Sequence, residues 1–277
     1  NVDGKSKNVK LQMSADEIAT VQTNLARFKA SIKEISNGKI AINYKDYIID
    51  KPIKSISYDN ENGYYVSEDD IYEYINSYVE ENEYDHIYVA FRMADIQNGE
   101  NVLKNDWIGL GGMTYSGVGF SNIRMPDDRN NLVYNYNYNI NTFPEEVFIH
   151  EFLHTLERNA KEYNYILFFI ITLKEGGNYN YERPEVHDYE TYGYKEDSKQ
   201  GLKEWYTDYM NKTIKYNGTL IGLPPEIYTC KPAHKSNFKY AVEVPAFKEP
   251  HGVIEVSQSI IQRIKKLFES KPVAEEE

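Results

Sequence analysis

A chain of 277 residues can bury a substantial core, and its 31 basic against 43 acidic side chains leave a formal charge of −12. That balance argues against a nucleic-acid binder, because neutralising phosphates needs a basic footprint and the lysines gather into none. Cys230 is the single cysteine, so neither an intrachain disulfide nor a cysteine-rich zinc module can form.

Ser14 followed by Glu17 matches a capping box, and Ile18, Val21, Leu25, Phe28, Ile32 and Ile35 recur at helical spacing up to Gly38. A long helix is expected there. Ile40 to Tyr44 and the stretch to Ile49 read as strand, and the run from Asp59 to Gly63 supplies turn residues. Ser67, with acidic residues behind it, opens a second helix carried by Ile71, Tyr74, Ile75, Tyr78 and Val79. Residues 87–92 predict a short, central strand. From Trp107 to Phe120 glycines interrupt apolar residues at a spacing that fits neither a dinucleotide fingerprint nor a Walker loop. Such glycines mark bulges or close backbone approach. Helix alternating with strand predicts a mixed α/β (α+β) layer.

Thr142 and Glu145 form another capping-box match, with Pro144 suited to the first turn of a helix. On that helix Val147, Phe148, Phe152, Leu153 and Leu156 mark an apolar stripe, and His150-Glu-Phe-Leu-His154 lies beside it. Positions i and i+4 share one helix face, so His150 and His154 can aim both imidazoles at one metal ion, leaving Glu151 unligated as a general base. That chemistry is hydrolysis by metal-activated water. A third ligand is still needed. Among the residues downstream, His187 is the first choice, Glu190 the main rival and Asp188 a weaker one. Glu157, one turn beyond His154, reads as a group behind the ligands or as a solvated helix charge. Tyr192 or Tyr194, close to the third ligand, is placed to donate to a developing oxyanion.

Tyr165 to Leu173 is apolar but too short to cross a bilayer. Leu202, Trp205, Tyr206, Tyr209, Met210 and Ile214 predict an amphipathic helix, and residues 257–269 a closing one. The expected organisation is one catalytic unit, with an N-terminal lobe of residues 1–163 and a mainly helical C-terminal lobe of residues 164–277. The 26 tyrosines assign much of the packing to rings that keep a polar end near water.

The motif helix resembles that of the zincin metallopeptidases, and a mixed sheet ahead of it is similar to the metzincin branch. The resemblance covers the motif helix strictly and residues 8–210 more loosely. Where metzincins continue with a glycine and a third histidine, this chain has Glu157 and Ala160. His187 would then be reached only through an enlarged connection over residues 158–186. Metzincins also carry a methionine beneath the metal; Met210 invites that comparison, but its surroundings read better as helix. The resemblance implies Zn2+, held by His150, His154 and His187, and an extended peptide or protein substrate added to a sheet edge at residues 111–123. A monomer without a transmembrane segment is expected, and a start at Asn1 without a methionine fits removal of an export signal, hence a protein secreted or displayed at a bacterial cell surface. A cell-wall amidase and a catalytically silent module that binds protein or glycan are the alternatives.

Overall fold

The computed structural model describes residues 11–76, 78–79, 83–94, 107–115, 118–128, 144–158, 184–195 and 199–223, all within a compact unit spanning Asn1–Val242. Helix α1 (Ala15–Ile35) begins as its sequence requires: Ser14 Oγ accepts from the Glu17 N–H, while the Glu17 carboxylate accepts from the Ser14 N–H at 2.7 Å. It stops at Asn37 and Gly38, both at positive φ. Residues 40–50 form no helix and join no ladder among the described residues, contrary to the strand expected there. Ile40 and Ile42 pack on the core while Ala41 and Asn43 face outward. The alternation thus reflects one-sided burial without a partner strand.

The predicted turn closes a hairpin of β1 (Ser57–Asp59) and β2 (Gly63–Tyr65), held by the Asp59 carboxylate accepting from the Glu61 and Asn62 N–H groups. Helix α2 (Glu68–Ile75) follows, with Asp70 accepting from both the N–H and the Oγ of Ser67 at 2.9 Å. It ends at Ile75, short of Tyr78 and Val79, which lie in a turn beyond it.

Three strands form a mixed sheet in the order β3-β5-β4: β3 (His86–Phe91) is parallel to β5 (Val118–Arg124), and β4 (Gly109–Tyr115) is antiparallel to it. The central strand among the described residues is therefore β5, not β3. Burial agrees, since all seven residues of β5 are buried while those of β3 are half-buried. The edge expected over residues 111–123 is likewise divided, β4 forming it and β5 lying inside.

Alternation along β5 serves two faces. Phe120 packs with Val66, Ile71, Tyr115 and Val118, and the Asn122 side chain bonds both backbone groups of Val66 at 2.7 and 3.0 Å. Gly119, Ser121 and Ile123 turn the other way, toward helix α3 over residues 146–158. There the larger core joins α1, α3 and α4 (Lys199–Asn211) through Phe28, Ile32, Phe148, Leu153, Trp205 and Tyr209. A second hairpin, β6 (Ile214–Tyr216) and β7 (Thr219–Ile221), follows α4. None of the described helices is long and apolar enough to cross a membrane. The Thr142 cap, the apolar run 165–173, Cys230 and the helix expected over residues 257–269 lie outside the described residues.

Candidate metal centre

Helix α3 starts at residue 146, so both motif histidines fall within its first three turns. Its apolar stripe is the expected one: Val147, Phe148, Leu153 and Leu156 are buried, with Phe152 half-buried beside them. The helix is pinned across the sheet by Tyr88, whose hydroxyl donates to the Phe148 carbonyl at 2.6 Å, and by His86 Nδ1, 3.0 Å from Thr155 Oγ1.

The close approach of α3 accounts for the glycine-rich strand. A Cβ on Gly109 would come 2.2 Å from Glu151 Oε1, and one on Gly111 would come 2.5 Å from Oε2. Only bare backbone leaves room for the carboxylate. Gly112, at φ +77°, lies in the irregularity where the β4 register shifts between Leu110 and Met113.

His150 and His154 share one face of α3, and His187 meets them from the turn ahead of a 3-10 segment, Asp188–Glu190. Ring centroids are 5.0 Å apart for His150 and His154, 4.7 Å for His150 and His187, and 5.0 Å for His154 and His187. Each residue offers one ligand atom, and these atoms lie within 4.8 Å of one another. Glu190, the rival, is exposed on the 3-10 segment, and the Asp188 carboxylate accepts from the Glu185 N–H at 2.7 Å.

The surrounding hydrogen bonds orient two of the rings. Tyr206 of α4 donates its hydroxyl proton to the Glu146 carboxylate, so its oxygen is left to accept from His150 Nδ1–H, 3.2 Å away. His154 Nδ1 lies 2.9 Å from Glu157 Oε2, a carboxylate able only to accept. Both contacts place the proton on Nδ1 and leave the Nε2 lone pairs for a metal. Burial, with the neighbouring imidazoles adding to it, holds His150 well below the usual histidine range, and burial also lowers His187. Neutral imidazoles are the form that ligates. This donor set fits a metal ion.

Glu151 is 4% exposed, and its Oε2 is buried with no hydrogen-bond partner among the described residues. Desolvation raises its carboxyl well above the usual range, with Glu146 and Glu157 adding to the effect and the Gly111 N–H partly opposing it. Tyr192 and Tyr194 follow the third histidine. The Tyr192 ring stacks on Trp205 at 6.0 Å, and the Tyr194 hydroxyl donates to Asp208 at 2.6 Å. Tyr206, which touches His150, is one that sequence reasoning assigned only to packing. Glu146 was missed altogether, although it precedes His150 by one helical turn.

The described residues define a mixed α/β protein carrying three histidines that can hold a metal ion. Comparison with protein-family models, curated proteins and solved structures returns no match for the chain.

Proposed function

We propose that this chain is a zinc-dependent endopeptidase. The reading rests on one observation above all: the imidazoles of His150, His154 and His187 converge, and the motif residue next to His150, Glu151, is a buried carboxylate whose Oε2 has no hydrogen-bond partner among the described residues. Three protein ligands with room for a fourth suit catalytic zinc. Zinc held by His150, His154 and His187 would supply Lewis acidity there, acidifying a water and polarising the substrate carbonyl. Glu151 would take a proton from the attacking water and return it to the leaving amine. The β4 edge offers main-chain groups to an extended peptide, holding it without demanding particular side chains. Tyr192 and Tyr194 are the candidates for donating to the oxyanion, and Tyr194 would have to release Asp208 to do so.

The test is Glu151→Gln. The variant is expected to bind one zinc ion as wild type does while peptide hydrolysis falls roughly 10²- to 10⁴-fold, the usual contribution of a positioned base. Zinc-loaded E151Q that cleaves a mixed peptide library at the wild-type rate would remove Glu151 from the mechanism.

A further inference from the structure

Glu157 stands where the resemblance to metzincins would place a glycine, and it is 5% exposed. A carboxylate that deep is costly unless its lone pairs are taken up. Here they are. Oε2 faces His154 Nδ1 at 2.9 Å, and Oε1 accepts from the Val186 N–H at 2.5 Å and from the Tyr209 hydroxyl at 2.7 Å. Val186 directly precedes His187. Its carbonyl accepts from Trp205 Nε1 at 2.8 Å, and the Tyr209 hydroxyl is also 3.0 Å from the Pro184 carbonyl. One buried side chain therefore touches a ligand on α3, the backbone beside a second ligand, and α4.

We propose that Glu157 is the positioning residue that assembles the metal site, fixing the tautomer of His154 and anchoring the returning segment that carries His187. The two tasks belong together. Glu157 and Val186 lie 29 residues apart in sequence, and bringing such distant residues together costs entropy that a fixed anchor offsets. The charge is required as well as the shape. A glutamine at 157 that kept its oxygen toward Val186 and Tyr209 would turn its amide N–H toward His154 Nδ1. That favours the tautomer whose proton sits on Nε2, where the metal lone pair should be. The opposite amide orientation would set N–H against the buried Val186 N–H.

This inference rests on the metal-site reading, and the experiment separates the two. Zinc affinity of wild-type chain and Glu157→Gln is measured by competition with a chromophoric chelator, alongside the ring nitrogen resonances of His154 in metal-free protein. E157Q is expected to bind zinc roughly 10- to 100-fold more weakly, as removal of a residue behind a metal ligand typically does. The His154 proton is expected to move from Nδ1 to Nε2, a change that simple loosening of the fold would not produce. Tyr209→Phe keeps the carboxylate but removes one anchor, and is expected to weaken zinc a few-fold without altering the tautomer. It keeps the anchoring role testable if E157Q fails to fold. Wild type that takes up no zinc would overturn the metal site itself. Wild type and E157Q that bind zinc equally would overturn the positioning role alone, as would Y209F indistinguishable from wild type.

Discussion

Replacing Gly111 with alanine tests whether the glycine-rich strand exists to seat Glu151. The backbone there is not left-handed, so alanine brings steric conflict without conformational strain. Its Cβ would lie 2.5 Å from Glu151 Oε2, 2.9 Å from the Glu151 carbonyl oxygen and 3.2 Å from its Cα. Because real Cβ atoms essentially never come within 3.0 Å of such atoms, the carboxylate must yield by about 0.5 Å or more. Overpacking of this kind destabilises by about 1–3 kcal/mol, which lowers Tm by roughly 2–12 °C in a domain of this size. Misplacing a catalytic group by about 1 Å costs on the order of 10²-fold in turnover. Gly112→Ala is the matched control. Its φ of +77° makes alanine strained by about 1–2 kcal/mol, but nothing among the described residues lies within 4 Å of the added Cβ. Differential scanning calorimetry should therefore show both variants destabilised, whereas kcat on a peptide substrate should fall only in G111A. Equal kcat in the two variants would refute the idea that bare backbone at residue 111 seats the base.

Burial lowers the pKa of His86 to about 3, with the charge of Arg158 adding to the effect. The unfolded chain therefore binds the proton first, and stability is lost as pH falls below the unfolded value of about 6.5. Between neutral pH and pH 5 the loss is about 2 kcal/mol, so denaturant midpoints of metal-free wild type should fall more steeply over that range than those of His86→Gln. Parallel pH profiles would show that His86 is protonated in the folded protein. At Asp70, burial pushes the carboxyl up but is outweighed by bonds from Ser55, Ser67 and Ser57, leaving the pKa below its usual value. Its contribution is present above the unfolded pKa and lost as pH falls through the folded one. Asp70→Ala should cost about 3 kcal/mol, or roughly 6–12 °C in Tm, and an unchanged thermal scan would show that the bonds to the three serines are dispensable.

Local chemistry explains what could be read from the chain in advance. Ser14 with Glu17, Ser67 with Asp70, and the Asp59 turn act within three or four residues, so caps and hairpin are visible in the sequence itself. His150 and His154 are legible for the same reason, since one helical turn separates them. The Asn217-Gly218 pair between β6 and β7 carried an equally local hairpin signal that went unread. Strand order was not legible, because β3 is the more apolar run in sequence, while Gly119, Ser121 and Asn122 of β5 are buried only through packing on both of its faces. The partners of the histidines were hidden by distance: Tyr206 reaches His150 across 56 residues, and Tyr209 reaches Glu157 across 52. Glu151 against Gly109 and Gly111 lies between these cases. The glycines announced a close approach, and only tertiary packing shows what approaches.

The brackets supplied by α4 impose an order on biogenesis. A nascent chain emerging from the ribosome exposes His150 and His154 well before Trp205, Tyr206 and Tyr209 are synthesised, yet those three rings hold His150, Glu157 and the segment before His187. Until residue 209 is available, His150 lacks the ring that orients it, Glu157 lacks one of its anchors, and the segment before the third histidine lacks its hold on α4. Completion of the metal site is thereby coupled to synthesis of α4, and an unfinished polypeptide carries the motif without a finished centre.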